Sequence, residues 1–233
     1  MIMIFVDNKK RKLEHIQKEY PQAFIIDVTS SSTLHSGRIL SPFYPHGNIP
    51  IPFTPGLIAT CVEAVWQGLK VFEHYGVDFS TFRNNTQKDL KRTIRKYGKL
   101  LGHAKGAYNT ELLGYFDARM HIYLPTYKWV LENVPSVQHV VSRIKEQSQL
   151  SDIVLLDYNT NIEFCDISKP LSHAGLIKLY IEGHYPTTNE TYYPLTEEES
   201  KIRRKYILAE RRKRQQVAKN VELSLFPLQN TSK

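Results

Sequence analysis

Residues 61–72, Cys-Val-Glu-Ala-Val-Trp-Gln-Gly-Leu-Lys-Val-Phe, constrain this chain more than any other stretch. On a helix, Glu63, Gln67 and Lys70 fall at i, i+4 and i+7 and project from one face. Val62, Val65, Leu69 and Phe72 occupy the other faces. A carboxylate, an amide and an ammonium thus stand in one column inside an apolar segment. Once buried, such a column must pair internally or serve a ligand. The plainer alternative is a solvated Glu–Lys stripe.

Charge is unevenly distributed. Of 31 basic and 23 acidic residues, nine basic and one acidic fall within 201–219, so the rest of the chain holds 22 of each. Basicity therefore belongs to one C-terminal segment, which argues against a nucleic-acid platform on the body itself. The 233 residues suit one sizeable domain. No run of about 18 apolar residues occurs, so no membrane partner is expected. The opening Met-Ile-Met-Ile-Phe-Val-Asp lacks a basic leader region. Two cysteines, Cys61 and Cys165, make no disulfide framework, and the expected location is cytoplasmic.

The pattern along the chain predicts an α+β fold, mainly helical. Ile2–Val6 and Ala23–Thr29 read as strands flanking a helix over Asn8–Tyr20, a small βαβ element within 1–37. A core over 38–185 follows. Five prolines between 42 and 55 stiffen a loop that presents Phe43, Tyr44 and His46 ahead of the 61–72 helix. Residues 86–101 read as a basic amphipathic helix, either a phosphate rim or a solvated face. A helical stretch over 110–132, interrupted at Pro125, a helix over 136–149, a strand over Ile153–Tyr158, a short strand near 162–165 and a helix over Pro170–Gly183 complete the core. Residues 186–195 read as a linker. Residues 196–233 form a tail whose helix, Glu197–Lys219, starts with acids at its positive end. That basic helix is expected to be separable from the body. It either packs by a thin stripe of Ile202, Tyr206 and Ala209 or contacts nucleic acid through Lys201–Lys219.

The nine histidines are dispersed, and neither His-x-x-x-His nor Cys-x-x-Cys occurs, so no metal or other cofactor is expected. Asp166 follows the predicted 162–165 strand and precedes Ser168, Lys169 and Pro170, which suits either a functional carboxylate or a helix-start turn. Lys169, Ser172 and His173 sit on that same turn, where a helix N-terminus favours phosphate.

Glu63, Gln67 and Lys70, followed by Phe72, resemble the signature helix of the NADAR family. Ser41-Pro42-Phe43-Tyr44-Pro45 resembles that family's segment just before the helix. Leu101-Gly102-His103 resembles its Gly-Arg pair, Tyr115 and Tyr123 its spaced Trp and Met, and Tyr127–Asn133 its Lys-Phe-x-x-Asn end. The likeness covers about residues 38–185. Ala64 stands in place of the family His and His103 in place of Arg. Residues 165–174 replace its closing Trp-Gly…Gly-x-Asn-x-Leu-Gly run.

The resemblance implies an N-glycosidase that cleaves a ribose C1–nitrogen bond in an ADP-ribose-type or nucleotide-derived substrate, such as an ADP-ribosylated base, free or in modified nucleic acid. That chemistry passes through an oxocarbenium-like state and needs a carboxylate beside C1. Glu63 is expected to supply it. Lys70 is expected to bind phosphate or ribose, or to act as an amine nucleophile. Asp166 is expected as a second catalytic carboxylate. Phe43, Tyr44, Gln67, His103, Tyr115, Arg119 and Lys169 are the expected substrate-binding residues. The competing expectations are a binding module that grips ADP-ribose without cleaving it, and a nucleic-acid-associated protein that docks through its tail.

Overall fold

Ile153–Asp157, Ile-Val-Leu-Leu-Asp, is buried at every position, as a strand covered on both faces must be. The computed structural model describes residues 3–187 and 190–225, with side chains through Val217. In chain order the elements are β1 (Ile4–Asn8), α1 (Leu13–Glu19), β2 (Phe24–Asp27), α2 (His35–Arg38), β3 (Ile49–Pro50), β4 (Ile58–Ala59), α3 (Val62–Gly68), β5 (Lys70–Phe72), α4 (Phe79–Phe82) and α5 (Ile94–Tyr97). There follow β6 (Leu100–Ala104), β7 (Leu112–Leu113), α6 (Tyr115–Ala118), a π turn (Arg119–Tyr123), α7 (Leu124–Asn133), α8 (Pro135–Gln147), β8 (Ile153–Asp157), α9 (His173–Ile181) and α10 (Glu197–Leu225). Among the described residues the fold is α+β with three small sheets.

The main sheet has the order β1-β8-β2 and is parallel throughout, with Ile4 and Phe24 both level with Ile153. The strand–helix–strand expected at the N-terminus is present, with β8 inserted between its two strands. Ile2 of the expected first strand lies outside the described residues. One hydrophobic core spans both halves of the chain, joining Ile4 and Val28 to Val62, Val65, Leu131 and Leu176. Burying each such side chain contributes about 1.5–3 kcal/mol.

The helix expected over 61–72 ends at Gly68, and Lys70–Phe72 form β5, antiparallel to β6. Gly68 lies under Phe82, whose ring carbon would stand 2.2 Å from a Cβ added there. The wall built by Phe82 and the pairing with β6 override the local helical pattern.

The helix expected over 86–101 shrinks to α5. Gln87 and Asp89 take positive φ, which breaks a right-handed helix. Arg92 is only 5% exposed and serves as a clamp. Its guanidinium donates to the carbonyls of Gln67, Lys70 and Gly76. The expected 110–132 helix begins with strand β7 instead, and helix starts at Tyr115. The Leu124 N–H reaches back to the Arg119 carbonyl in a π turn, directly before Pro125, which has no N–H to give.

No strand forms near 162–165 among the described residues. That loop folds around Arg119, whose guanidinium collects the carbonyls of Phe164, Asp166 and Lys169. Carbonyls so engaged cannot join a ladder.

The basic tail helix lies along the body and is held there by charge. Arg211 donates to Glu19 Oε1 at 2.9 Å and to Asp7 Oδ2 at 3.1 Å, and both carboxylates are buried. Arg11 binds the same two acids. Farther back, Ser200 and Arg204 bond Asp166 and Ser168. Arg211 thus supplies a second cation, beside Arg11, for two buried acids. Lys219, the last cation of the basic run, lies outside the described side chains. Among the described residues, no helix is long and apolar enough to cross a membrane.

Candidate functional site

The carboxyl ends of β2 and β8 open into a cleft of about 450 Å³. Thr29 and Ser30 leave β2 there, and Asp157, Tyr158 and Asn159 leave β8. Ligands of open parallel sheets characteristically bind beyond these strand ends. α3 and the proline-stiffened loop form the opposite wall with Ser41, Pro42, Phe43, Glu63, Trp66 and Gln67. The loop is fastened to the helix because the Glu63 N–H donates to the Pro42 carbonyl at 2.9 Å. α3 itself starts at Cys61, whose sulfur accepts from the Ala64 N–H.

Glu63 and Gln67 share the face expected of an i, i+4 pair. Gln67 Nε2 donates to Glu63 Oε1 at 2.7 Å. The amide cannot turn over, because Gln67 Oε1 accepts the Arg92 N–H at 3.0 Å. One carboxylate oxygen is therefore held by a fixed donor. Burial raises the Glu63 pKa above its ordinary 4.5, against the opposing pull of Gln67 and Lys70. Lys70 reaches the same cleft from β5 rather than from the helix. Burial lowers its pKa below 10.5, with Glu63 resisting. Among the described residues its ammonium has no hydrogen bond or ion pair. Lys91 joins it, lying over the Phe43 ring at 5.6 Å. Two ammonium groups without an ion pair among the described residues, beside one carboxylate, suit a phosphate-bearing ligand.

The aromatic wall is built on Trp66. Tyr115 and Tyr123 meet its ring edge-on at 5.9 and 5.6 Å. His103 stacks behind it at 3.9 Å. His103 is 1% exposed, neither ring nitrogen has a hydrogen-bond partner among the described residues, and burial drives its pKa down to about 3. It is a neutral support for Trp66 and not a lining residue, which corrects its expected role.

Other expected residues also sit elsewhere. Phe43 and Tyr115 line the cleft. Tyr44 turns away, its ring 4.9 Å from that of His46. Arg119 borders the cleft, but its guanidinium is committed to the three loop carbonyls and the Tyr115 hydroxyl. It positions the loop that supplies Pro170 and Leu171 to the wall and has little left for a ligand.

Asp166 does not converge on Glu63. Its Oδ1 accepts from the Ser168 N–H at 3.0 Å and from the Ser200 hydroxyl at 3.1 Å. Burial opposes, yet these bonds hold its pKa below 3.8. It closes a turn and anchors α10. Lys169 lies with it in the groove under α10, outside the cleft.

The second carboxylate of the cleft is Asp157, which sequence reasoning missed. Its Oδ2 lies 3.0 Å from His173 Nδ1 and accepts the Ser172 hydroxyl at 2.7 Å. His173 Nε2 faces the Val28 carbonyl at 2.8 Å. Both ring nitrogens thus meet acceptors, as an imidazolium requires. Burial opposes charging of either partner, but their attraction prevails: the Asp157 carboxyl falls to about 2 and His173 rises above 6.5. The only local signal was Ser172-His173 at a helix start; Ser172 is indeed the N-cap of α9. No group of three or more His, Cys, Asp or Glu suited to a metal ion occurs among the described residues.

Residues 8–177, about three quarters of the chain, match the model of a family of unknown function (DUF6939). No curated protein and no solved structure matches the chain.

Proposed function

The chain belongs to this DUF6939 family, and we propose that it is an N-glycosidic bond hydrolase acting on an ADP-ribose-type or nucleotide-derived substrate. The observation that carries the reading is Glu63: a buried carboxylate held by a fixed amide, in an aromatic-walled cleft beside the free ammonium groups of Lys70 and Lys91. The NADAR-like signature at Glu63, Gln67 and Lys70 supports the same chemistry, and the proposed setting is the cytoplasm. In the reaction the C1–N bond breaks, the water oxygen bonds to C1, and the electron pair leaves on the base nitrogen, which takes up a proton from solvent. The Glu63 carboxylate opposes the charge growing at C1 and takes the proton of the attacking water. Lys70 and Lys91 hold the substrate phosphate, and Trp66 and Phe43 pack against ribose or base.

The test is to incubate full-length protein with a panel of N-ribosyl substrates, including ADP-ribosylated nucleobases, and to follow base release by chromatography and mass spectrometry. Release that disappears in Glu63→Gln is the expected result. Intact substrate across a panel that the protein binds would overturn hydrolysis.

One observation favours a second reading, a binding module that grips ADP-ribose without cleaving it. Asp157 is neutralised by His173, so Glu63 has no second free carboxylate opposite it among the described cleft residues. Binding without turnover would select this reading. In either case, the exposed cations of α10, such as Lys205 and Arg212, are proposed contacts for nucleic acid.

A further inference from the structure

A second hollow of about 360 Å³ lies under α10. It shares Tyr158, Asn159 and Pro170 with the cleft, so the two meet along a common wall. Each volume falls within the usual range for a small-ligand pocket, roughly 300–1,000 Å³. The groove carries positive charge that its own acids do not cancel. Asp166 is occupied by Ser168 and Ser200, and Glu163 by Arg203 at 3.5 Å. Arg211 is spent on Asp7 and Glu19. Lys169 is exposed, and its ammonium has no partner among the described residues. Arg204 has one hydrogen bond, to the Ser168 hydroxyl at 2.9 Å. The side-chain amide of Asn159, on the common wall, has no hydrogen bond among the described residues and can serve a ligand crossing between the hollows.

We infer that the groove is a second nucleotide subsite, so that the ligand has two phosphate-linked nucleotide halves. This rests on the proposed function of the cleft. The reacting ribose lies beside Glu63, the linking phosphate crosses the Tyr158–Asn159 wall, and the second half lies under α10 against Lys169 and Arg203. The linkage is a pyrophosphate in a free dinucleotide or a phosphodiester in a strand; the groove chemistry is common to both. No covalent step occurs in the groove.

The experiment uses the full chain carrying Glu63→Gln, which removes turnover. Calorimetry measures affinity for a mononucleotide (AMP), a pyrophosphate-linked dinucleotide (NAD) and a phosphodiester-linked dinucleotide (adenylyl-adenosine). Each titration is repeated after adding Lys169→Ala and Arg203→Ala, two exposed positions outside the cleft. At least one dinucleotide should bind tenfold or more tighter than AMP. The added substitutions should erase that advantage while changing AMP affinity less than twofold, and the dinucleotide affected identifies the linkage. AMP binding with no dinucleotide advantage, or an advantage that survives both substitutions, would overturn the subsite and leave the cleft reading standing. Absence of binding by all three ligands would overturn both.

Discussion

Replacing Asp157 by Asn tests the buried pair under the cleft. The substitution keeps the shape of the side chain and removes its charge. Asp157 and His173 are both nearly closed to solvent, with side chains 5% and 10% exposed. The fall of the Asp157 pKa from 3.8 to about 2 corresponds to about 2–3 kcal/mol, at about 1.4 kcal/mol per unit. Breaking a buried pair by removing one partner costs about 3–5 kcal/mol in general, so a loss near 3 kcal/mol is expected. The sign with pH follows from the two shifts. Asp157 has a depressed pKa, so its contribution is present above 3.8 and lost as pH falls toward 2. His173 has a raised pKa, so its contribution is present below 6.5 and lost as pH climbs through its folded-state value above 6.5. The Asp157→Asn penalty should therefore be greatest between about pH 4 and 6.5 and shrink in alkali, where His173 is neutral with or without its partner. Urea unfolding at pH 5.5 and pH 9 measures this. At pH 5.5 the midpoint should fall by about 1 M or more, given slopes of about 1–3 kcal/mol per molar. An equal loss at both pH values would refute the ion pair and leave only a packing defect.

The Glu63→Gln substitution should preserve the thermal midpoint and lower kcat by about 10²-fold or more, since a positioned charge-stabilising group is removed; single-turnover assays check it. The pH profile of kcat/KM should be a bell with both limbs drawn inward, rising above 4.5 as Glu63 ionises and falling below 10.5 as Lys70 loses its proton. Arg211→Ala should cost about 1–3 kcal/mol by stranding Asp7 and Glu19, and truncation at Leu195 should cost at least as much; thermal melts read both. Gly68→Ala should destabilise by about 1–3 kcal/mol by driving a methyl into Phe82, seen as a lower urea midpoint without a change in slope.

What could be read from the sequence was local. The spacing of Glu63 and Gln67 was enough to place them on one helix face, because an i, i+4 relation needs no other part of the chain. Lys70 was assigned to the cleft for the wrong reason: the helix stops at Gly68 because Phe82 fills the space beside it, a contact no periodicity reveals. Arg92 read as one cation of a basic helix and Arg119 as a substrate-binding residue, yet each is a buried clamp for backbone carbonyls, which only the folded loop supplies. Asp157 and His173 are separated by a loop whose path is set by Arg119. Their meeting is a tertiary event, so neither residue alone announced the pair. Asp166 was drawn toward Glu63 by resemblance, while its own Asp-x-Ser turn already accounted for its oxygens.

The order β1-β8-β2 also sets the timing of folding. The two outer strands are complete by Asp27, but the strand that joins them begins at Ile153. During synthesis, at about 5–20 residues per second, they must wait roughly 6–25 s for their shared partner. Through that interval the edges of Ile4–Asn8 and Phe24–Asp27 stay unpaired, open to the neighbours on which nascent chains aggregate. Closing so long a loop before any ladder bond forms also makes this sheet a slow step. The floor of the cleft is thus among the last features the emerging chain can build.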